Sequence, residues 1–431
     1  MDRRSFLGSI VAPALGATAV LPVLNSRGLA VAAELSRHAG QPADVARDEA
    51  YWFEVQQAFT VDRSLINLNN GGVSPSPTVV QEAMKRHLDY SNTAPTYAMW
   101  RILEPQREGV RQRLARHLGC DTEEIALTRN SSESLQTCQF GFDLKPGDEV
   151  LTTNQDYPRM INTFLQRERR DGIKLIQFSI PVPAEDPAEI VRRFEERITP
   201  RTRLILMCHI VNLTGQILPV RQVVALARKR GVPVIVDGAH SFAHWPFTRD
   251  ELDCDYYAAS LHKWLFAPHG TGLLYVRRER IADLWPLMAA PPEMKGDIRK
   301  FEEIGTHPAA NYLAIGEALT FHEGIGPSRK AARLRFLRDY WASRLLEHDR
   351  VRLHTSLRSE LSCGFATVQI EGLDSAALTE YLWDRHRIIA TSIKHEEFEG
   401  IRVSASVYTT LEELDRFHDA VQTVLRTGLP G

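Results

Sequence analysis

"VPVIVDGAH", Val232 to His240, sets an acidic residue at the end of a β-branched apolar run, and its flanks decide the fold. Such a run, bounded by Gly231 and Gly238, suits a strand buried on both faces. Just upstream, "VRQVVALARKRG" (Val220–Gly231) spaces its apolar residues as a helix does. Its basic last turn complements the negative helix end, and Gly231 supplies the stop. Further upstream "TRLILMCHI" is another unbroken strand run, and "DYYAAS" (Asp255–Ser260) follows downstream. The alternation extends toward the N-terminus: "EEIALTRN" then the helical "SSESLQTCQFGF", and "DEVLTTNQ" and "IKLIQFS" around a further helical pattern. Repeated strand-then-helix order predicts an α/β fold with a mainly parallel sheet. From about residue 310 the texture changes to "NYLAIGEALTFHEGIG" and "PSRKAARLRFLRDYWASRLLEH", then "CGFATVQIEG", another helix and "IRVSAS". That is the pattern of a smaller C-terminal α+β domain.

At 431 residues the chain has material for more than one domain. A formal net charge of -2 leaves no basic excess to neutralise phosphates, which argues against nucleic acid as a partner. Cys120, Cys138, Cys208, Cys254 and Cys363 are scattered without a CxxC pair, so neither a zinc knuckle nor a disulfide framework is indicated. The N-terminus differs from the rest. "MDRRSFLGSIVAPALGATAVLPV" carries Arg3 and Arg4 before small and apolar residues, too Pro-interrupted for a spanning helix, and "AVA" offers a cleavage site. It is similar to a twin-arginine export signal, although Asp2 and Gly8 depart from that pattern. The expected organisation is a signal over 1–32, an N-terminal segment over 33–65, a large α/β domain over 66–308 and a small α+β domain over 309–431. No integral membrane segment is expected in the mature chain, and its localisation is expected to be periplasmic, reached through the twin-arginine translocation machinery.

Chemistry in open α/β sheets gathers at the carboxyl ends of the strands. Asn130, Ser131 and Ser132 stand where a strand yields to a helix, a natural seat for a phosphate. Asp237 ends "VPVIVD", Asn212 follows "LILMCHIV", and Lys263 follows "DYYAAS" between His262 and Trp264. Each has an ordinary explanation alone: a turn aspartate, a capping box in "NSSES", a loop aromatic in Tyr157, a snorkelling lysine. Their joint order points to pyridoxal 5'-phosphate. A lysine amine forms a Schiff base with the aldehyde, an aspartate keeps the pyridine nitrogen protonated, and an aromatic ring stacks on it.

The order Asn70-Gly71, "TRNSSES", "QDYP", "HIVNLTGQ", "VDGAH", "SLHK", "EIGTHP" and "IRVSAS" resembles the class V aminotransferase family, of fold type I, in particular its isopenicillin N epimerase-like branch. The resemblance covers about residues 65 to 420, and its specific part is "VDGAH" followed by the lysine of "SLHK". It implies that Lys263 is the Schiff-base lysine and Asp237 the partner of the pyridine nitrogen. His240 and Asn212 would lie near the phenolic oxygen, Tyr157 would stack on the ring, and Ser131, Ser132, Ser260 and His262 would hold the phosphate. Thr306 would reach the phosphate of a neighbouring subunit, since the family is homodimeric at the site. Arg402 would grip a substrate carboxylate, with Asn70 and Gly71 lining the substrate side. The implied substrate is an amino acid, or an amino-acid group of a peptide or secondary metabolite. With the export pattern, the chain is also similar to the periplasmic enzymes that tailor pyoverdine siderophores with this cofactor.

Cysteine desulfurases share the fold but need a nucleophilic cysteine where this chain has "RIIATSIKHEEF", and Cys363 precedes the strand. A metal-dependent hydrolase is the contrasting alternative, built on His240 and His244 with Asp237, His262 and His269 nearby. Pro246 disfavours the helix that the i, i+4 histidine pair requires, and the metal set leaves Lys263 unexplained, so no metal is expected. A non-catalytic protein that binds the cofactor is the third alternative.

Overall fold

The structure, a computed structural model, describes residues 33–38 and 40–429, so the expected export segment lies outside the described residues. The large layer is a seven-stranded sheet in the order β2-β8-β7-β6-β5-β3-β4. Its strands are β2 (Ile125–Thr128), β3 (Glu149–Thr153), β4 (Lys174–Phe178), β5 (Thr202–Cys208), β6 (Val234–Asp237), β7 (Tyr256–Ser260) and β8 (Gly272–Val276). β4, β3, β5, β6 and β7 run parallel, and β8 is antiparallel to both β7 and β2. The short loop between β7 and β8 explains that reversal, because a parallel return needs a crossover of a dozen residues or more. The expected α/β class with a mainly parallel sheet is what the chain adopts.

Helix boundaries follow local chemistry. The Ser131–Gly141 helix starts at Asn130, whose Oδ1 accepts from the Glu133 N–H at 2.8 Å. The Pro158–Asp171 helix opens on proline and closes at Gly172, whose φ of +73° only glycine takes without strain. Ala126, Val150, Leu204, Leu206 and Ile235 face one side of the sheet with Leu135 and Phe164 from these helices. The other face packs Ile205, Met207, Val234 and Val236 against Val223, Val224 and Ala227 of the Val220–Lys229 helix. The Ala309–Leu313 and Ile315–Ile325 helices join this second cluster through Leu313, Ile315, Ala318 and Leu319.

The C-terminal part holds an antiparallel sheet, β12-β13-β10-β9, made of β9 (Val351–Leu353), β10 (Ala366–Ile370), β12 (Thr391–Lys394) and β13 (Glu399–Val403). Helices Pro327–Leu345, Ser375–His386 and Leu411–Thr427 supply Leu337, Trp341, Leu382, Phe417 and Val421 to its core. The run "SLINLNN" has its place here: β1 (Ile66–Asn67) pairs in parallel with β11 (Ile388–Ile389), and Asn69 bridges Ser404. Gly71 therefore reaches the site from the C-terminal sheet's side. Among the described residues no helix is long and apolar enough to cross a membrane.

Candidate active site

A cavity of about 350 Å³ opens at the carboxyl ends of β5, β6 and β7. That volume lies within the range of small-molecule sites, about 300–1,000 Å³. Ser131, Ser132, Tyr157, Asn212, Asp237, His240, Ser260, His262, Lys263, Arg402 and Gly71 all line it. The strands deliver Cys208, Asp237 and Ser260 as their last residues, so three side chains stand in a row along one sheet edge.

Lys263 Nζ lies 2.9 Å from His240 Nε2, and Nδ1 of His240 is buried without a partner. Burial and the nearby Arg402 charge pull the Lys263 amine below its ordinary range, while Asp237 opposes that fall. Burial pushes Asp237 upward, against a hydrogen bond to its Oδ1 from the Ala239 N–H at 2.9 Å. Removing charge from water disfavours the charged form of either group, so each is poised toward neutrality. Burial likewise lowers His240 well below the usual histidine range and His262 to about 4.

At the other end of the cavity the Ser131 N–H donates to Ser260 Oγ at 3.0 Å, and the two hydroxyls meet at 2.8 Å. The Ser131–Gly141 helix begins there, so its positive N-terminal end and the hydroxyls form an anion seat. β8 makes the close approach possible. A Cβ on Gly272 would come within 2.6 Å of the Asn130 backbone. On the wall from β13, Arg402 donates to the Asn212 carbonyl at 2.8 Å and to Asn69 Oδ1 at 2.9 Å, and its buried Nε has no partner.

One expected site residue stands elsewhere in this chain. Asn70 does not line the cavity: it is buried, donates to the carbonyls of Asn67 and Ser404, and accepts from the Tyr408 hydroxyl at 2.6 Å. It holds the Asn69–Gly72 turn in place, and Gly71 and Gly72 of that turn reach the cavity. Thr306 is exposed and outside the cavity of its own chain. The histidine cluster also fails to assemble. His244 Nδ1 meets the His240 carbonyl at 3.1 Å, its Nε2 accepts from the Gly364 N–H at 2.9 Å, and its ring lies 4.0 Å from Trp264. Both nitrogens are thus spent, and among the described residues no set of three ligands could hold a metal ion.

Several lining residues were invisible in the sequence. Cys208 reads as core in an apolar strand, yet it ends β5 at the cavity, where burial and Asp156 with Asp237 push its thiol well up. Asp156, buried behind it, accepts from the Cys208 N–H at 2.8 Å and from Thr152 and Thr153, so it orients the strand end. Arg159 and Gly72 also line the cavity. The signal for Arg159 was its place two residues after Tyr157, in the first turn of a helix that opens on Pro158.

The Aminotransferase class-V family matches residues 66–417. The isopenicillin N epimerase of Streptomyces clavuligerus is 32% identical over 87% of this chain and 98% of its own. A cysteine desulfurase from Escherichia coli superposes with a TM-score of 0.76 at 21% identity, covering 90% of this chain and 99% of its own. C-DES, solved as a variant with glycine covalently linked to its PLP cofactor, gives a TM-score of 0.73 at 23% identity over 83% of this chain and 96% of its own. The chain, an enzyme by these relationships, belongs to the class V aminotransferase family.

Proposed function

We propose that this enzyme uses pyridoxal 5'-phosphate to act at the α-carbon of an amino acid, or of an amino-acid group in a peptide or secondary metabolite, with epimerisation as its reaction. The observation that carries the proposal is the Lys263–His240 contact beside Asp237, facing the serine-lined anion seat across one cavity. These residues fit the cofactor. The buried atoms His240 Nδ1, Asn212 Oδ1 and Arg402 Nε have no polar partner among the described residues, as groups that a bound cofactor and substrate would satisfy.

When bound, the cofactor supplies an aldehyde that bonds amines and a ring that draws electrons from the substrate α-carbon. The chain does the rest. Lys263, held toward its neutral form, is a nucleophile near neutral pH and afterwards a base and acid for the α-proton. Asp237 offers a carboxylate where a ring nitrogen would lie. Ser131, Ser132, Ser260 and His262 would hold the phosphate. Arg402 has spent two of its five N–H donors on Asn212 and Asn69, and its free Nε edge can take a substrate carboxylate side-on.

Epimerisation is preferred because the relative at 32% identity is an isopenicillin N epimerase. Sulfur transfer is disfavoured by the thiols themselves. Burial pushes Cys120, Cys254 and Cys363 up to about 12 and holds Cys138 and Cys208 well above the ordinary thiol range, so no thiolate is offered. In place of a cysteine-bearing loop, residues after β12 are pinned to the large layer: Glu396 Oε1 accepts from the Asn154 side chain at 2.7 Å.

The test is the visible spectrum of the cofactor-loaded protein beside Lys263→Ala, followed by incubation with candidate amino acids in D2O. A lysine-dependent band, with deuterium entering the α-position as chirality is lost, is the expected result. Loss of the amino group instead would make the enzyme a transaminase. A band that persists in Lys263→Ala would remove the assignment of this lysine.

The proposal extends to location and assembly. Arg3 and Arg4 before the apolar run support export of the folded, loaded protein by the twin-arginine route, and a periplasmic protein beginning near residue 33 is the expected outcome. Exposed Tyr97, Trp100 and Trp285, with Thr306 standing outside its own cavity, support a homodimer, to be checked by sedimentation.

A further inference from the structure

A second lysine is buried behind the cavity, and none of the chemistry above uses it. Lys330, in the first turn of the Pro327–Leu345 helix, is 0% exposed and has no carboxylate partner among the described residues. Its Nζ donates to the carbonyl of Trp264, lies 3.2 Å from His322 Nδ1, and stands 4.2 Å from the centre of the Phe266 ring. Two of these contacts bear on one loop, while His322 belongs to the Ile315–Ile325 helix. Trp264 directly follows Lys263, and Phe266 holds a φ of +63°, a left-handed backbone that a phenylalanine rarely adopts.

The loop is gripped from its other side as well. His244 packs on Trp264 at 4.0 Å and bonds the carbonyl of His240, whose ring touches the Lys263 amine at 2.9 Å. Methionine or leucine would fill the Lys330 position without desolvating an amine. Neither would reach the Trp264 carbonyl. Farther along the same helix, Leu337, Trp341 and Leu345 pack with Val403 and Ala405, immediately beyond Arg402. One helix therefore supports both the lysine loop and the strand that carries the arginine.

We propose that Lys330 is a positioning residue: through the Trp264 carbonyl it fixes the strained loop of Lys263 and so sets the direction from which the Lys263 amine enters the cavity. The inference rests on Lys263 being the cofactor's lysine, which the Lys263→Ala spectrum tests separately.

The experiment compares Lys330→Met, Lys330→Gln and Leu334→Ala in the full-length, cofactor-loaded protein. Leu334 is equally buried one turn on in the same helix and packs in the apolar cluster of Trp264 and Phe266, so its truncation serves as a control that loosens packing around the loop while removing no hydrogen-bond donor from the Trp264 carbonyl. Thermal melting, visible circular dichroism per unit of absorbance, and the cofactor dissociation rate are recorded for each. Loss of one hydrogen bond that holds the loop is expected to raise the dissociation rate of Lys330→Met about 3- to 10-fold and to weaken its visible dichroism. Lys330→Gln, which keeps an N–H donor, should change less, and Leu334→Ala should lower the melting point with an unchanged dichroic band. Should the methionine variant not fold, Lys330→Leu, which also lacks the donor, takes its place in the comparison with Leu334→Ala. The proposal is overturned if the folded donor-less variant keeps the wild-type dichroism and dissociation rate, or if Leu334→Ala alters both as much.

Discussion

Arg402 acts on Lys263 before any substrate arrives. Its charge adds to burial in lowering the amine, so Arg402→Gln should raise the Lys263 pKa, because removing a like charge favours the protonated form. The pH at which cofactor uptake by the apoprotein levels off should move upward, read from stopped-flow absorbance between pH 6 and 10. An unchanged profile would show that burial alone sets the amine. The same substitution should raise the substrate KM about 10- to 100-fold, the worth of charge-assisted hydrogen bonds to a carboxylate. Cys208→Ser is expected to leave turnover within about twofold, since a thiol held protonated beside Asp156 and Asp237 contributes no nucleophile. At this scale the sequence showed the residues whose chemistry is unusual for their surroundings, such as Lys263 between His262 and Trp264. It hid those whose type suits the core, as Cys208 does, and it gave Asn70 a lining role when the side chain is spent on backbone carbonyls.

The phosphate seat depends on how closely β8 passes the start of the Ser131–Gly141 helix. Gly272→Ala would drive a Cβ to 2.6–2.8 Å from three backbone atoms of Asn130. Backbone cannot yield as a side-chain tip does, so the variant should lose about 1–3 kcal/mol of stability, the usual cost of overpacking. Its cofactor affinity should fall with the melting point, measured by calorimetric titration beside the thermal scan. A wild-type melting point would mean that the helix start is freer than its packing shows. The inner strands β3, β5, β6 and β7 were legible because each is a largely buried run bounded by turn residues. The partners of "SLINLNN" were not, since pairing between Ile66 and Ile388 depends on contacts that no local periodicity encodes.

Across the whole molecule, buried imidazoles make the fold sensitive to mild acid. Burial holds His87, His117 and His262 at about 4 and His209 at about 3, whereas an unfolded chain takes up the same protons near 6.5. In that window the unfolded state binds more protons, so stability is lost as pH falls from about 6.5 toward 4. Melting points of the apoprotein recorded at intervals from pH 7.5 to 4.5 should fall steadily below 6.5. A flat series would mean that these histidines are already solvated. The overall architecture was readable because alternation of elements constrains topology more than any single boundary does. The parallel pairing of β1 with β11 has a further consequence, for biosynthesis. The first strand of the large matched region waits for almost the last, and the turn bearing Gly71 waits with it. A ribosome must therefore release nearly the entire chain before the pocket can close, and a truncated product would carry Lys263 without ever gathering the walls around it.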